Sequence, residues 1–230
     1  MRSTVIAVML ALVSLVAVGP QAGFVVAQDT SAQEALDQRV RDFLAAARWR
    51  SRTLNVSAAD GQKLHDLIVE NGYTRAVEVG TSTGHSTIWI AWALSKTGGK
   101  LITVEINERR HQRALANLEE AGLSSFVDAR LADAHELVPE LEGPFDFAFI
   151  DADKDWYVRY FNWLLPEIEV GGCFAAHNVS ESGEGSPGEN APPGRMEEGT
   201  AEFVQEILAT PSLNTEFFMD GGGLSISYKR

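Results

Sequence analysis

Apolar positions along this chain switch repeatedly between two periods. Some recur at the 3.6-residue spacing of amphipathic helices, and others form short Val, Ile, Leu and Phe blocks that read as buried strands. Behind the capping-box start Ser31-Ala-Gln-Glu34, residues Leu36, Val40, Phe43, Leu44 and Ala47 fall on one face and predict a helix to about Trp49. A second such start, Ser57-Ala-Ala-Asp60, opens a helix carrying Leu64, Leu67 and Ile68, which Asn71-Gly72 closes. Strand and helix then alternate: strand Arg75 to Val79, helix Ser86 to Leu94, strand Leu101 to Glu105, helix Glu108 to Ala121, strand Val127 to Leu131 and a short helix near His135. Strand Phe145 to Ile150, helix Trp156 to Leu165 and strand Cys173 to Ala176 continue the series. Such alternation predicts a parallel sheet with helices on both faces. Thr215 to Met219 and Leu224 to Tyr228 flank Gly221-Gly222-Gly223 as a terminal hairpin, so the fold class is an open α/β sheet that ends in an antiparallel pair.

One segment has no period. Ser180 to Gly199 is crowded with Gly, Pro, Ser and Glu and is too long for an ordinary connection. It follows a strand end, where open α/β sheets bind ligands, and this predicts a lid. The alternative is a surface insertion without a role.

With 230 residues and 45% hydrophobic content, the chain has material for one sizeable core and one domain. Arg2, the apolar or small run Val5 to Val18, the break at Gly19-Pro20 and the small residues Val25-Val26-Ala27 form a signal-peptide pattern over residues 1–27. The mature domain is then 28–230, and the chain is expected to be exported. Its apolar run is short against the roughly twenty residues of a membrane span, and an uncleaved anchor is the alternative. A net charge of -13 argues against nucleic acid or anionic lipid as partner and leaves a small molecule. The single cysteine, Cys173, excludes an intramolecular disulfide and any C-x-x-C metal or redox pattern.

Candidate chemistry begins at Val77-Glu78-Val79-Gly80-Thr81-Ser82-Thr83-Gly84-His85-Ser86, where a strand breaks through a glycine turn into a helix. Gly80 and Gly84 allow a sharp bend and close approach to a ligand, and the helix start offers free amides. The dinucleotide pattern G-x-G-x-x-G lacks its first glycine here, and Glu78 would repel a phosphate. A cationic guest fits better: the sulfonium and amino groups of S-adenosylmethionine are positive, and its carboxylate suits the amides. Glu105 ends the next strand about twenty residues on, the offset at which a carboxylate reaches ribose hydroxyls, although a helix N-terminal acid reads the same way. Asp133, between Ala132 and Ala134, is placed to accept from an adenine amino group. Asp151-Ala-Asp153-Lys154-Asp155-Trp156-Tyr157 then brings carboxylates and a lysine to the same edge. A lysine at a helix N-terminus opposes the macrodipole, so Lys154 is either paired or functional.

Together, Asn55-Val56-Ser57 with Asp60-Gly61-Gln62, Glu78 to Ser86, Glu105, and Phe149-Ile-Asp-Ala-Asp-Lys154 followed by Tyr157 resemble the class I S-adenosylmethionine-dependent O-methyltransferases of the catechol and caffeoyl-coenzyme A type. The resemblance covers most of the mature chain. It implies a Rossmann-like seven-stranded sheet, often a dimer, and methyl transfer from S-adenosylmethionine to a hydroxyl of a small catechol-like or phenolic substrate. It assigns Val56, Glu78, Gly80, Ser82, Gly84, Ser86, Glu105, Asp133, Ala134 and Asp151 to the cofactor and Lys154 to the role of general base. It also implies a divalent cation on Asp151. Where the metal-dependent members carry Asp-Asn, this chain reads His177-Asn178. A site of Asp151, Asn178 and waters suits Mg²⁺ or Ca²⁺, whereas one of Asp151, His177 and Asn178 shifts the preference toward Mn²⁺, Fe²⁺ or Zn²⁺. Alternatively His177 is itself the base, or a loop histidine bonded to backbone. An exported, non-catalytic protein that binds adenosyl ligands is the competing reading.

Overall fold

Seven strands form one sheet in the order β3-β2-β1-β4-β5-β7-β6. The computed structural model that contains them describes residues 21–46, 55–181 and 197–230. β1 (Arg75–Val79), β2 (Lys100–Glu105), β3 (Val127–Leu131), β4 (Phe145–Ile150) and β5 (Ile168–His177) are parallel. β7 (Leu224–Lys229) pairs antiparallel with β5 on one side and with β6 (Leu213–Phe218) on the other. Because β1 lies between β2 and β4, the connections leave it in one direction and those of β4 in the other. The carboxyl ends of β1 and β4 are therefore the switch point, where a sheet of this kind leaves a crevice.

Alternation of side chains puts each strand into two cores. In β4, whose six residues are all buried, Phe147 and Phe149 face one helical layer and Ala148 and Ile150 the other. The first layer is α1 (Gln21–Ala45), α2 (Ala58–Asn71), α3 (His85–Thr97) and the C-terminal half of α4 (Glu108–Ala121), with Val40, Leu64, Ile88 and Leu118 inward. The second is α6 (Tyr157–Leu164) and α7 (Glu197–Ala209), with Tyr160, Phe161, Phe203 and Ile207 inward. The buried acid of β4, Asp146, accepts the amides of Thr74 and Arg75 at 2.7 and 2.8 Å and so anchors the start of β1.

The capping signals act as expected at α2 and α4. Ser57 accepts the Asp60 amide and Gly72 ends α2 in the left-handed conformation, while Asn107 accepts the Arg110 amide and Gly122 ends α4. Other boundaries differ. α1 runs unbroken from Gln21, so Ser31 is interior to the helix rather than its start, and Trp49 lies outside the described residues. α3 extends to Thr97, where Gly98 stops it, and β5 begins at Ile168 rather than Cys173 because its exposed first half pairs only at Phe145. The helix near His135 is α5 (Ala134–Leu137). α7 carries Phe203, Val204 and Ile207 at helical spacing. The loop-like composition just before it hides that signal in the sequence. Of the expected lid, residues 182–196 lie outside the described residues, and its last three residues belong to α7.

Among the described residues no helix is long and apolar enough to cross a membrane, and the run Val5 to Val18 falls outside them.

Gly61 lets α2 meet α3: a Cβ there would lie 2.3 Å from Nε1 of the buried Trp89. Gly61→Ala is expected to destabilise the fold by about 1–3 kcal/mol through overpacking, read by urea unfolding. A change under about half a kcal/mol would mean that the indole yields and that this contact does not set the α2–α3 spacing.

Candidate active site

The turn after β1 is held from below. Glu78 is completely buried; its Oε1 accepts the Ser86 hydroxyl at 2.6 Å, and its Oε2 accepts Thr87 and Thr103 at 2.5 and 2.6 Å. One carboxylate thereby ties β1, β2 and the first turn of α3 together. The ligand-facing charge expected of Glu78 is thus corrected: its strand position points it under the turn, and Ser86 turns inward to meet it. Ser86 is itself buried.

The upper side of the turn is backbone. Gly80, Ser82 and Gly84 all have positive φ, at 105°, 51° and 91°. A Cβ on Gly80 would fall 2.5 Å from the Asp151 carbonyl oxygen, so only glycine permits the two loops at the switch point to touch. Glu105 lies beside this turn. Its Oε2 accepts the Ser82 amide at 2.8 Å, and its Oε1 accepts the Asn107 amide and the Arg110 guanidinium, both at 2.8 Å. Asp133 ends the loop after β3, accepts the His135 amide at 2.9 Å and caps α5, which begins at Ala134. Val56 is buried upstream of α2, and its backbone is hydrogen-bonded to the His85 ring at the start of α3. The neighbouring Asn55 has both side-chain amide atoms buried without a hydrogen-bond partner among the described residues. Cofactor candidates from four separate stretches of sequence thus converge on one edge of the sheet.

Next to them lies a chain of charges. Asp151 Oδ1 accepts from Lys154 Nζ at 2.9 Å, and Asp151 Oδ2 lies 3.0 Å from His177 Nδ1. The other ring nitrogen of His177 lies 3.3 Å from Asp60 Oδ2, which also accepts the Ser57 hydroxyl at 2.8 Å and the Gly222 amide at 2.6 Å. Lys154 Nζ further meets the Tyr157 hydroxyl and, at 3.3 Å, the His177 carbonyl. Burial would raise the Asp151 carboxyl, but the adjacent Lys154 and His177 charges outweigh it and hold the group well below the usual carboxylate range. Burial would likewise lower His177, yet the Asp151 charge and the bonds to Asp151 and Asp60 raise it to about 9.

Both ring nitrogens of His177 are engaged with carboxylate oxygens, so neither is open to a substrate hydroxyl as the side chain stands, and the imidazole lies between the carboxylates of Asp151 and Asp60. Asn178 follows β5 in the left-handed region at φ 58°. Among the described residues no group of three or more His, Cys, Asp or Glu side chains is arranged to hold a metal ion. Trp156 stacks on His135 at 3.5 Å and lies under Arg159, and Tyr157 is fully buried.

Sequence reasoning missed the role of Asp60 and of the terminal hairpin turn. Asp60 looks like the acid of a capping box, and Gly221 and Gly222 look like an ordinary turn. A Cβ on Gly221 would sit 2.3 Å from Asp60 Oδ1, and one on Gly222 would sit 2.7 Å from His177 Nε2. The turn presses on the charge pair, a contact spanning 162 residues that no local pattern encodes.

Comparison with known proteins gives this geometry a context. A family model described as O-methyltransferase matches residues 27–227. A catechol O-methyltransferase of Niastella koreensis is 39% identical over 135 residues, which cover 57% of this chain and 61% of that protein. Caffeoyl-CoA O-methyltransferase 1 of Arabidopsis thaliana is 28% identical over 199 residues, covering 82% of this chain and 76% of the relative. Among solved structures, the O-methyltransferase from Bacillus cereus in complex with SAH superimposes with a TM-score of 0.70 at 28% identity, over 89% of this chain and 97% of that one. TomG from Streptomyces achromogenes, solved with SAM, gives 0.68 at 26% identity, over 85% and 89%.

Burial raises the Glu78 carboxyl from 4.5 to about 7, an effect that its three hydroxyl donors only partly offset. The fold therefore favours the protonated form: this contribution is complete below 4.5 and is lost as pH rises through about 7. Glu78→Gln carries no titrating group, so its stability deficit should shrink between about pH 5 and about pH 8, measured by urea unfolding. A deficit constant across that window would contradict this account.

Proposed function

This chain belongs to the O-methyltransferase family, and from that premise we propose that it transfers a methyl group from S-adenosylmethionine to a hydroxyl of a small phenolic or catechol-like substrate. The observation that carries the reading is the convergence, at one switch point, of the Gly80–Ser82 turn, Glu105, Asp133 and Asp151. The donor set fits the nucleotide. Glu105 Oε2, which accepts the Ser82 amide, has a further lone pair for a ribose hydroxyl. The orphaned Asn55 amide beside the turn offers a further donor and acceptor. The acidic edge suits a sulfonium, and the touching backbones of Gly80 and Asp151 bring that edge against the cofactor turn.

When bound, S-adenosylmethionine supplies an electrophilic methyl: a C–O bond forms to the substrate oxygen as the C–S bond breaks, and the sulfur leaves with the electron pair. The protein's work is positioning and proton removal. The base is assigned to Lys154, whose amine, unlike the His177 ring, is not held between two carboxylates. In the structure its amine donates to Asp151 and to the His177 carbonyl, so acting as a base requires it to shed a proton to solvent and turn from Asp151 to the substrate. Tyr157, buried and bonded to the carbonyls of Ile150 and His177, holds the floor of the site. The leader over residues 1–27 is part of the proposal, as an export signal, on the pattern of Arg2, the apolar or small run Val5 to Val18 and the small residues Val25-Val26-Ala27.

Isothermal titration of the mature chain with S-adenosylmethionine is expected to give saturable heat, and a panel of catechols and phenols to give methylated product. Lys154→Met should slow transfer by about a hundredfold or more while leaving cofactor affinity within a few fold. Binding without turnover across the panel would instead support a non-catalytic binding protein, and a large affinity loss in Lys154→Met would place that side chain in the cofactor pocket. Mass spectrometry of protein recovered from a secreting host should find an N-terminus near Gln28, and an intact leader would overturn the export assignment.

A further inference from the structure

A divalent cation held by Asp151 and His177 at the end of β5 would need a lone pair on the imidazole and ligand atoms converging on one point. The geometry offers no such point. The two nitrogens of His177 point to opposite sides of the ring, one toward Asp151 at 3.0 Å and the other toward Asp60 at 3.3 Å. With each ring nitrogen directed at a different carboxylate oxygen, the imidazole and the carboxylates do not face a common point, and the carboxylates are held apart by the width of the ring. The second oxygen of Asp151 is occupied by Lys154.

The arrangement is fixed in place rather than accidental. Asp60 is fully buried and tethered by the Ser57 hydroxyl and the Gly222 amide, so it cannot swing toward the site's mouth. The missing Cβ of Gly222 allows the hairpin turn to close over His177, where any side chain would stand 2.7 Å from Nε2. The charges also balance internally: two carboxylates face one ammonium and one doubly bonded imidazole. A divalent cation added to that set would leave two positive charges uncompensated beside His177 and Asp60, both less than a tenth exposed, which is costly.

We infer that the ion-pair chain Lys154–Asp151–His177–Asp60 occupies the place of a divalent cation and keeps this site from binding one. In the methyl-transfer reading above, on which the mechanistic meaning rests, His177 is then a positioning residue that orients Asp151 and supplies fixed positive charge in the cation's stead. Replacing it by an acid reverses the balance. His177→Asp leaves three carboxylates against Lys154 alone, a set whose excess of two negative charges a divalent cation neutralises.

The test titrates Mn²⁺ into chelator-treated full-length protein, followed by electron paramagnetic resonance, with and without S-adenosylhomocysteine. The unaltered protein is expected to show no stoichiometric Mn²⁺ site and to transfer methyl groups equally with and without EDTA. His177→Asp is expected to gain one Mn²⁺ per chain with affinity increased about tenfold or more. Stoichiometric Mn²⁺ binding by the unaltered protein, or loss of its transfer in EDTA, overturns the inference. So does a His177→Asp variant that folds, by circular dichroism, yet gains no Mn²⁺ site. If that variant fails to fold, the unaltered protein decides alone. Mn²⁺ binding is read without turnover, so an absence of S-adenosylhomocysteine binding would sink the methyl-transfer reading separately.

Discussion

Two backbones touch at the middle of this sheet, and most of the site follows from that contact. The turn after β1 and the loop after β4 approach so closely that a single methyl group on Gly80 would collide with the Asp151 carbonyl. Parallel pairing of β1 with β4 ends at Val79 and Ile150, and the Asp151 amide continues it by donating to Val79. The glycine turn and the acidic loop are therefore one surface. Any ligand that lies on the turn lies against Asp151 as well.

That surface is stiffened from beneath by buried polar groups. Glu78 gathers three hydroxyls from two further elements, so the turn cannot move without breaking bonds that have no replacement from water. A carboxylate in such a position costs desolvation, and the dense donor set offsets part of it. On the other side, Lys154, Asp151, His177 and Asp60 alternate in charge through a nearly dry region. Each is tolerated because its neighbours have the opposite sign. The first network holds the glycine turn and the second lines the acidic edge beside it.

The terminal hairpin has a part in this that its position in the chain conceals. β7 adds to the sheet beside β5 and brings the turn at Gly221–Gly223 over Asp60 and His177. A strand pair that looks like a cap on the edge of the sheet thus seals its most charged interior site. The hairpin, α2 and the end of β5 are far apart in sequence and meet only there.

Local pattern was enough for the alternation of elements, the caps at Ser57 and Asn107 and the glycine turn. These depend on periodicity, on dihedral demands met by few residue types, and on spacing within one supersecondary unit. The same residues match a family whose members are O-methyltransferases, so the broad chemistry was legible before any coordinates. Tertiary structure alone decided where side chains point and whom they meet. Glu78 and Ser86 turned inward because strand parity and the first turn of α3 aim them at each other, which no motif states. α7 lay hidden behind a segment of loop-like composition. Above all, the meaning of His177 depended on Asp60, 117 positions away, and on a glycine hairpin further still. A histidine reads as ligand, base or ion-pair partner according to what stands beside each nitrogen, and that is settled by long-range packing rather than by neighbours in sequence.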